Sequence, residues 1–257
     1  MLTPPEIARS LLAAGESKAR LPLGKMLLLA ILAGAYIALA GVGATAAAVT
    51  VESGSLAKLL SACVFPAGLS MVILAGSELF TGNCLMVMAL LERRITPAQL
   101  LRNWLTVYLG NAVGGAAVAA LAVYSHTASL FGDGLARSMV SIVESKAALG
   151  FGDAFLRGVL CNFLVCLAVW MAAASKRAEG KVIALFFPIL LFVLCGYEHC
   201  IANLYYLPAG AFAAAEYGME TTLTLAGCLK NLTAVTLGNL VGGAALGVGY
   251  RFAYLKE

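Results

Sequence analysis

The chain has 257 residues, 61% of them hydrophobic and 12% charged, with 17 Lys and Arg against 13 Asp and Glu for a formal net charge of +4. Its mean hydropathy is +0.92, whereas a soluble domain is about 45–50% apolar and about 25% charged. A disordered segment, a disulfide-stapled secreted domain and a nucleic-acid binder are excluded, which leaves a polytopic membrane protein built as one compact domain.

In chain order, Glu6, Arg9, Glu16, Lys18 and Arg20 interrupt any apolar core that a secretory signal would need. Ile7, Leu11, Leu12 and Ala14 fall at helical spacing, so residues 1–25 read as a cytoplasmic, interfacial helix and a candidate gate. A membrane-spanning helix needs about 20 apolar residues. Residues 26–50, 104–124, 154–174 and 225–250 each supply one. Residues 59–91 and 182–215 are each longer than 30 residues, too long for one straight crossing. Each of these contains a proline (Pro66, Pro188) and, near its middle, an acid with a glycine two residues before it: Glu78 with Gly76, and Glu198 with Gly196. Both read as broken helices, which brings the expected number of spans to six.

Six spans place Arg9, Lys18, Arg20, Lys25, Arg93, Arg94, Arg102, Lys176, Arg177, Lys181, Arg251 and Lys256 on the side of the termini, 12 of the 17 basic residues. Lys58, Arg137, Lys146, Arg157 and Lys230 fall on the other side. The positive-inside rule then predicts cytoplasmic termini. The expected organisation is a first repeat at 26–124, an external connection at 125–152 and a second repeat at 153–257.

The repeat is visible in two motifs. Gly76-Ser-Glu78-Leu-Phe-Thr-Gly-Asn83 matches Gly196-Tyr-Glu198-His-Cys-Ile-Ala-Asn203 at an offset of 120 residues. Arg102-Asn103 with Leu109-Gly110-Asn111-x-Val-Gly-Gly115 matches Lys230-Asn231 with Leu237-Gly238-Asn239-x-Val-Gly-Gly243 at an offset of 128. Three spans per half is an odd number, so the halves are expected to lie inverted in the membrane, with a site where the discontinuous helices meet. The glycines suit close helix packing, and an acid at the midplane, costing about 2.5–3.5 kcal/mol even on the mildest scale, points to function. Asn103 and Asn231 read as helix caps or bridges, and His126 as a solvated residue of the connection.

Other classes lack their residues. The seven cysteines are odd in number and show no C-x-x-C spacing, so they read as small buried hydrophobes. Two histidines, and no G-x-S-x-G or H-E-x-x-H, supply neither an enzyme's nucleophile set nor a metal site. No cofactor is expected. The chain has no Asn-Pro-Ala of a water channel, and a non-transporting receptor or structural protein would not need two midplane acids in broken spans.

Four segments together carry a family resemblance. Ala75-Gly-Ser-Glu-Leu-Phe-Thr-Gly-Asn83, Ile95-Thr-x-x-Gln-Leu-x-x-Asn-Trp104, Leu160-Cys-Asn-x-x-Val-Cys-Leu-Ala-Val-Trp170 and Gly196-Tyr-Glu-His-Cys-Ile-Ala-Asn203 closely resemble the formate/nitrite transporter family, from about residue 20 to the C-terminus. The resemblance implies an all-α, aquaporin-like protomer with its own pore, assembled as a homopentamer in a bacterial plasma membrane. It also implies passage of a small monovalent anion or its acid: formate, nitrite, hydrosulfide, and in some members acetate or lactate. By the same resemblance Leu79, Phe80 and Thr81 form the loop at the pore centre, and His199 is the pore histidine. Glu198 is its buried neighbour, orienting backbone or the ring. Phe65, Leu69, Val165 and Phe192 make apolar constrictions, Lys146 stands near the substrate path, and Asn162 and Asn239 are intramembrane asparagines. Cys200 stands where serine is common, and Asn83 where some nitrite-type members carry histidine. The Glu-Leu-Phe-Thr-Gly-Asn form, with Tyr205-Tyr-Leu-Pro208 after the second motif, is nearer the formate or hydrosulfide members.

An anion squeezed through a Phe/Leu ring loses hydration at a cost of several kcal/mol. Two devices could lower it. Lys146 could concentrate anions by its field, aided by backbone N–H groups at broken-helix N-termini. Alternatively, a proton could join the anion, and histidine is the side chain whose ordinary pKa suits that exchange. His199 and Thr81 are then expected to form a polar patch between two apolar gates.

Overall fold

The structure, a computed structural model, describes residues 1–255; Lys256, counted above on the side of the termini, lies outside the described residues. Among these there is no β-strand, and the apolar stretches resolve into twelve α-helices and two 3-10 turns. The first helix, α1 (Pro4–Ala19), starts at a Thr3–Glu6 capping box with Pro4 in its first turn. Its apolar face is covered by the protein itself: Ile7 and Leu12 pack among Met86, Met88, Ala89 and Trp170.

α2 (Leu23–Ala48), the consecutive α3 (Gly54–Val64) and α4 (Pro66–Ala75), α7 (Pro97–Tyr124), α9 (Phe151–Ala173) and α12 (Leu225–Tyr254) give five stretches long and apolar enough to cross a membrane. Between α4 and α7 run α5 (Phe80–Asn83), a 3-10 turn (Cys84–Met86) and α6 (Val87–Leu91). The segment 125–152 is not an open loop, because it folds α8 (Gly134–Ala148). α10 (Ala178–Leu194) and α11 (Cys200–Glu216) complete the chain order before α12.

Neither broken stretch breaks at its proline. α3 and α4 abut at Phe65, where Pro66 opens α4, and Pro188 sits inside α10. The backbone turns instead at Gly76 (φ 76°) and Gly196 (φ 69°), a left-handed conformation that glycine adopts without steric cost. From there it runs extended into Leu79 and His199, the residues that open α5 and α11.

Two helix pairs fix these breaks in place. α2 packs on α7 and α9 on α12, so closely that a Cβ on Gly114 would stand 1.9 Å from the Ile31 carbonyl oxygen and one on Gly242 2.1 Å from that of Val159. Gly114 and Gly242 are related by the 128-residue offset. By the same numbering α1 corresponds to α8, so 125–152 carries the counterpart of the N-terminal helix.

Candidate functional site

At each break one asparagine replaces the missing helical hydrogen bonds. Asn111 Nδ2 donates to the carbonyls of Ala30 (2.7 Å) and Glu78 (2.9 Å), while its Oδ1 accepts the Phe80 N–H at 3.0 Å. Asn239 Nδ2 donates to Gly158 (2.8 Å) and Glu198 (2.9 Å), and its Oδ1 accepts the Cys200 N–H at 2.9 Å. Without them, interrupted backbone would be left unsatisfied away from water.

The two acids are held by matching sets as well. Lys18 Nζ donates to Glu78 Oε1 at 2.7 Å and to Asn83 Oδ1 at 3.0 Å, and Asn83 Nδ2 bridges Glu78 (2.7 Å) to Asn103 (2.9 Å). Lys146 Nζ donates to both Glu198 oxygens at 2.8 and 3.0 Å, and Asn203 Nδ2 bridges Glu198 (2.7 Å) to Asn231 (2.8 Å). Asn103 and Asn231 then close each set onto the backbone carbonyl of its own lysine. Glu198 therefore orients backbone through its carbonyl and fixes Lys146 through its carboxylate. That carboxylate is committed to Lys146 and Asn203, so the expectation that it orients the His199 ring is not met.

His199 is positioned by the chain that follows it. As the N-cap of α11 its Nδ1 accepts the Ala202 N–H at 3.0 Å, which places the ring hydrogen on Nε2. Nε2 lies 2.9 Å from Thr81 Oγ1 and donates to it. Thr81's own hydroxyl hydrogen is then free to donate elsewhere. A second proton on the ring could enter only at Nδ1, by breaking the cap. Asn162 Nδ2 and Cys166 Sγ fix Thr81 from behind through its carbonyl (3.2 and 3.3 Å), and Asn162 also reaches the Asn239 carbonyl at 2.7 Å.

Two cavities approach this pair from the two ends of the α3–α4 line. One, about 610 Å³, runs along α3 past Lys146 and ends on Phe65, Phe192 and His199. Phe65 meets Phe192 edge-on with centroids 5.7 Å apart, and Phe192 stacks on His199 at 5.8 Å. The other, about 470 Å³, runs along α4 past Lys18 and Glu78 and ends on Leu69 and Leu79. Thr81, fully buried, lines neither cavity.

Of the expected site residues, Phe65, Leu69, Leu79, Thr81, Phe192 and His199 come together here. Val165 is buried in the same apolar cluster. Phe80 turns away, edge-on to Tyr108 (5.1 Å) and Trp104 (6.4 Å). Asn162 and Asn239 are spent on backbone carbonyls. His126 is exposed in the connection. Cys84, Cys161, Cys166 and Cys200 are buried, whereas Cys63 and Cys195 are exposed and Cys228 is intermediate. Among the described residues no group of His, Cys, Asp or Glu could hold a metal ion. The residue missed by sequence reasoning is Lys18, although the signal was present: it lies 128 positions before Lys146, the offset of the second motif.

Two cavities that end on apolar rings, with one buried polar pair between them, are the construction of a membrane channel or transporter. The chain belongs to the formate/nitrite transporter family: the profile described as "Formate/nitrite transporter" matches residues 5–253. It is 38% identical to a "Probable formate transporter" of Methanothermobacter thermautotrophicus over 99% of this chain and 98% of that relative. It is 39% identical to "Formate channel FocA" of Haemophilus influenzae over 86% of this chain and 83% of that relative. Among solved structures, an "FNT family ion channel" superposes with a TM-score of 0.86 at 32% identity, covering 96% of this chain and 98% of that one. A "Pentameric formate channel with formate bound" gives 0.80 at 33% identity, covering 91% and 98%.

Proposed function

We propose that this protein conducts a small monovalent anion, formate first, between the Lys146 and Lys18 cavities through Phe65/Phe192, His199/Thr81 and Leu69/Leu79. The observation that carries this reading is the His199–Thr81 hydrogen bond, the one polar side-chain pair joining the two broken stretches between the cavity ends. Formate is favoured because similar proteins are named formate channels or transporters; nitrite and hydrosulfide are the alternatives of the same size and charge.

On this path the anion meets the free Thr81 hydroxyl hydrogen after shedding water at the phenyl rings. The acceptor at His199 Nδ1 is occupied by the cap, so the pair offers one free donor, the Thr81 hydroxyl, which suits a carboxylate. A proton shared there would let the neutral acid cross the apolar rings. The architecture we infer has six spans in two inverted repeats, aquaporin-like, with both termini cytoplasmic and the Lys146 mouth external. It comprises a cytoplasmic helix at 1–25, repeats at 26–124 and 153–257 and a connection at 125–152 in a bacterial plasma membrane. The pentameric neighbour supports a homopentamer with one pore per protomer, and Leu101, Leu105 and Leu109, exposed along one face of α7, suit lipid or subunit packing. Purified protein in liposomes is expected to pass formate faster than protein-free liposomes, with nitrite and hydrosulfide compared in the same assay. Absence of all three fluxes from intact oligomers refutes the reading.

A further inference from the structure

The two cavities are built on matching scaffolds but differ in charge. Lys58 of α3 and Arg157 of α9 line the Lys146 cavity, and Glu198 is the one acid on that wall. Glu198 is already bound by Lys146 at 2.8 Å. Lys58 forms no hydrogen bond or ion pair with another described residue, and among the described residues the Arg157 side chain reaches only the Gly196 carbonyl, at 3.5 Å. Both are exposed. At the other cavity Lys18 is matched by Glu78, and among the described residues no further ionisable side chain lines the wall. Leu29 lines it at the position equivalent to Arg157, 128 residues earlier, and the equivalent of Lys58, 120 residues later, is Ala178.

We propose that Lys58 and Arg157 form an anion-collecting station at the Lys146 mouth that has no counterpart at the Lys18 mouth. It rests on the pore reading above. Two cations at the rim of a low-dielectric cavity, neither in an ion pair with a described residue, focus their field into it and raise the local anion concentration. Ser61 and Ser145, on the same wall, supply hydroxyl donors to an anion that still keeps part of its hydration. The anion then passes inward to Phe65 and Phe192. A passive pore cannot alter the equilibrium across the membrane, so the station acts on the concentration at which flux saturates. Formate offered at the Lys58 mouth saturates the pore at lower concentration than formate offered at the other.

The test compares formate flux into right-side-out and inside-out membrane vesicles for wild type and for a Lys58→Ala/Arg157→Ala double variant. The expected result is an increase of about tenfold in the half-saturating concentration from the Lys58 face at low ionic strength, the low end of what focused charge achieves. From the opposite face it stays unchanged. The difference closes near 1 M salt, where the screening length falls to about 3 Å. Lys58→Arg with Arg157→Lys preserves the wild-type value, because charge and not shape is at work. An unchanged half-saturation in the conducting double alanine variant, or a change that survives high salt, overturns the proposal. Wild-type vesicles that pass no formate refute the pore reading instead, so the two failures are distinct.

Discussion

His199 has two separable duties, and two substitutions divide them. His199→Asn keeps an oxygen able to cap Ala202 N–H, because asparagine is among the best N-caps, but it is too short to reach Thr81. His199→Phe keeps the ring on Phe192 and loses both bonds. The phenylalanine variant leaves the buried Ala202 N–H (residue 4% exposed) without an acceptor, a cost of about 1–3 kcal/mol. Losing the Thr81 bond adds about 0.5–1.5 kcal/mol. The asparagine variant should lose only the second amount. Heat unfolding of the detergent-solubilised oligomer is expected to rank wild type, His199→Asn and His199→Phe in that order. Flux should rank differently. A hydrogen bond to a charged group is worth about 1.5–3 kcal/mol, which is about ten- to a hundredfold in rate. Thr81→Val, which removes the hydroxyl, should therefore cut formate flux by about that factor, and His199→Asn, which leaves that hydroxyl without the partner that orients it, should also lower flux although it stays well folded. His199→Asn protein that melts like wild type and passes formate at the wild-type rate and pH profile refutes the reasoning.

Gly114→Ala and Gly242→Ala would each drive a Cβ into a carbonyl oxygen, at 1.9 and 2.1 Å, and are expected to abolish recovery of folded oligomer on gel filtration; Gly54→Ala, with nothing within 4 Å, should not. Lys146→Met strands the Glu198 carboxylate, whose side chain is 6% exposed. It is expected to cost about 3–5 kcal/mol, much of it recovered in the Lys146→Met/Glu198→Gln double variant; equal melting of single and double variants argues against the pair. On α8, outside the spans, the Thr222 N–H and the Thr221 and Thr222 hydroxyls hold the Glu144 carboxyl below its ordinary range. A depressed folded-state value means that the tether is complete above the unfolded carboxylate range and is lost as pH falls through the folded value. Hydrogen exchange at Thr222 N–H, relative to its intrinsic rate, should rise on acidification in wild type and be high at every pH in Glu144→Ala, which has no acceptor.

Much of this arrangement was legible in one dimension, and the omissions have physical causes. The breaks were readable because an acid two residues after a glycine inside an apolar run has few structural uses. The start of α7 at Pro97 lies seven residues before the apolar run at Trp104. Its first two turns carry Gln99, Arg102 and Asn103, polar groups that point into the protein or to a cap, so hydropathy alone starts the helix late. The Thr96–Gln99 capping box was the better signal. α8 escaped notice because it is amphipathic rather than apolar throughout. The partner of Glu198 lies 52 residues away on that helix, and only its correspondence with α1 could have revealed the matching Lys18. The direction of Phe80 had no signal, because it follows from the Asn111 bond to its N–H.

The scaffold is duplicated closely, but the centre is not. Asparagine pins, acids and lysines match at both breaks, whereas the residues presented between the cavities do not. His199 corresponds to Leu79, and Thr81 corresponds to Ile201. Each half thus contributes one polar side chain, at a different position, with an apolar residue as its counterpart in the other half. Were both positions polar in both halves, four polar groups would meet at the centre and hold an anion in a deep well. Were neither polar, the barrier would be apolar throughout. Conduction needs binding favourable enough to admit the ion and weak enough to release it. On the path proposed above, a single hydrogen-bonded pair, with Leu69 and Leu79 on one side and Phe65 and Phe192 on the other, would meet both demands. It would do so on backbone held rigid by Asn111 and Asn239, so the donor geometry need not be reorganised as each anion passes.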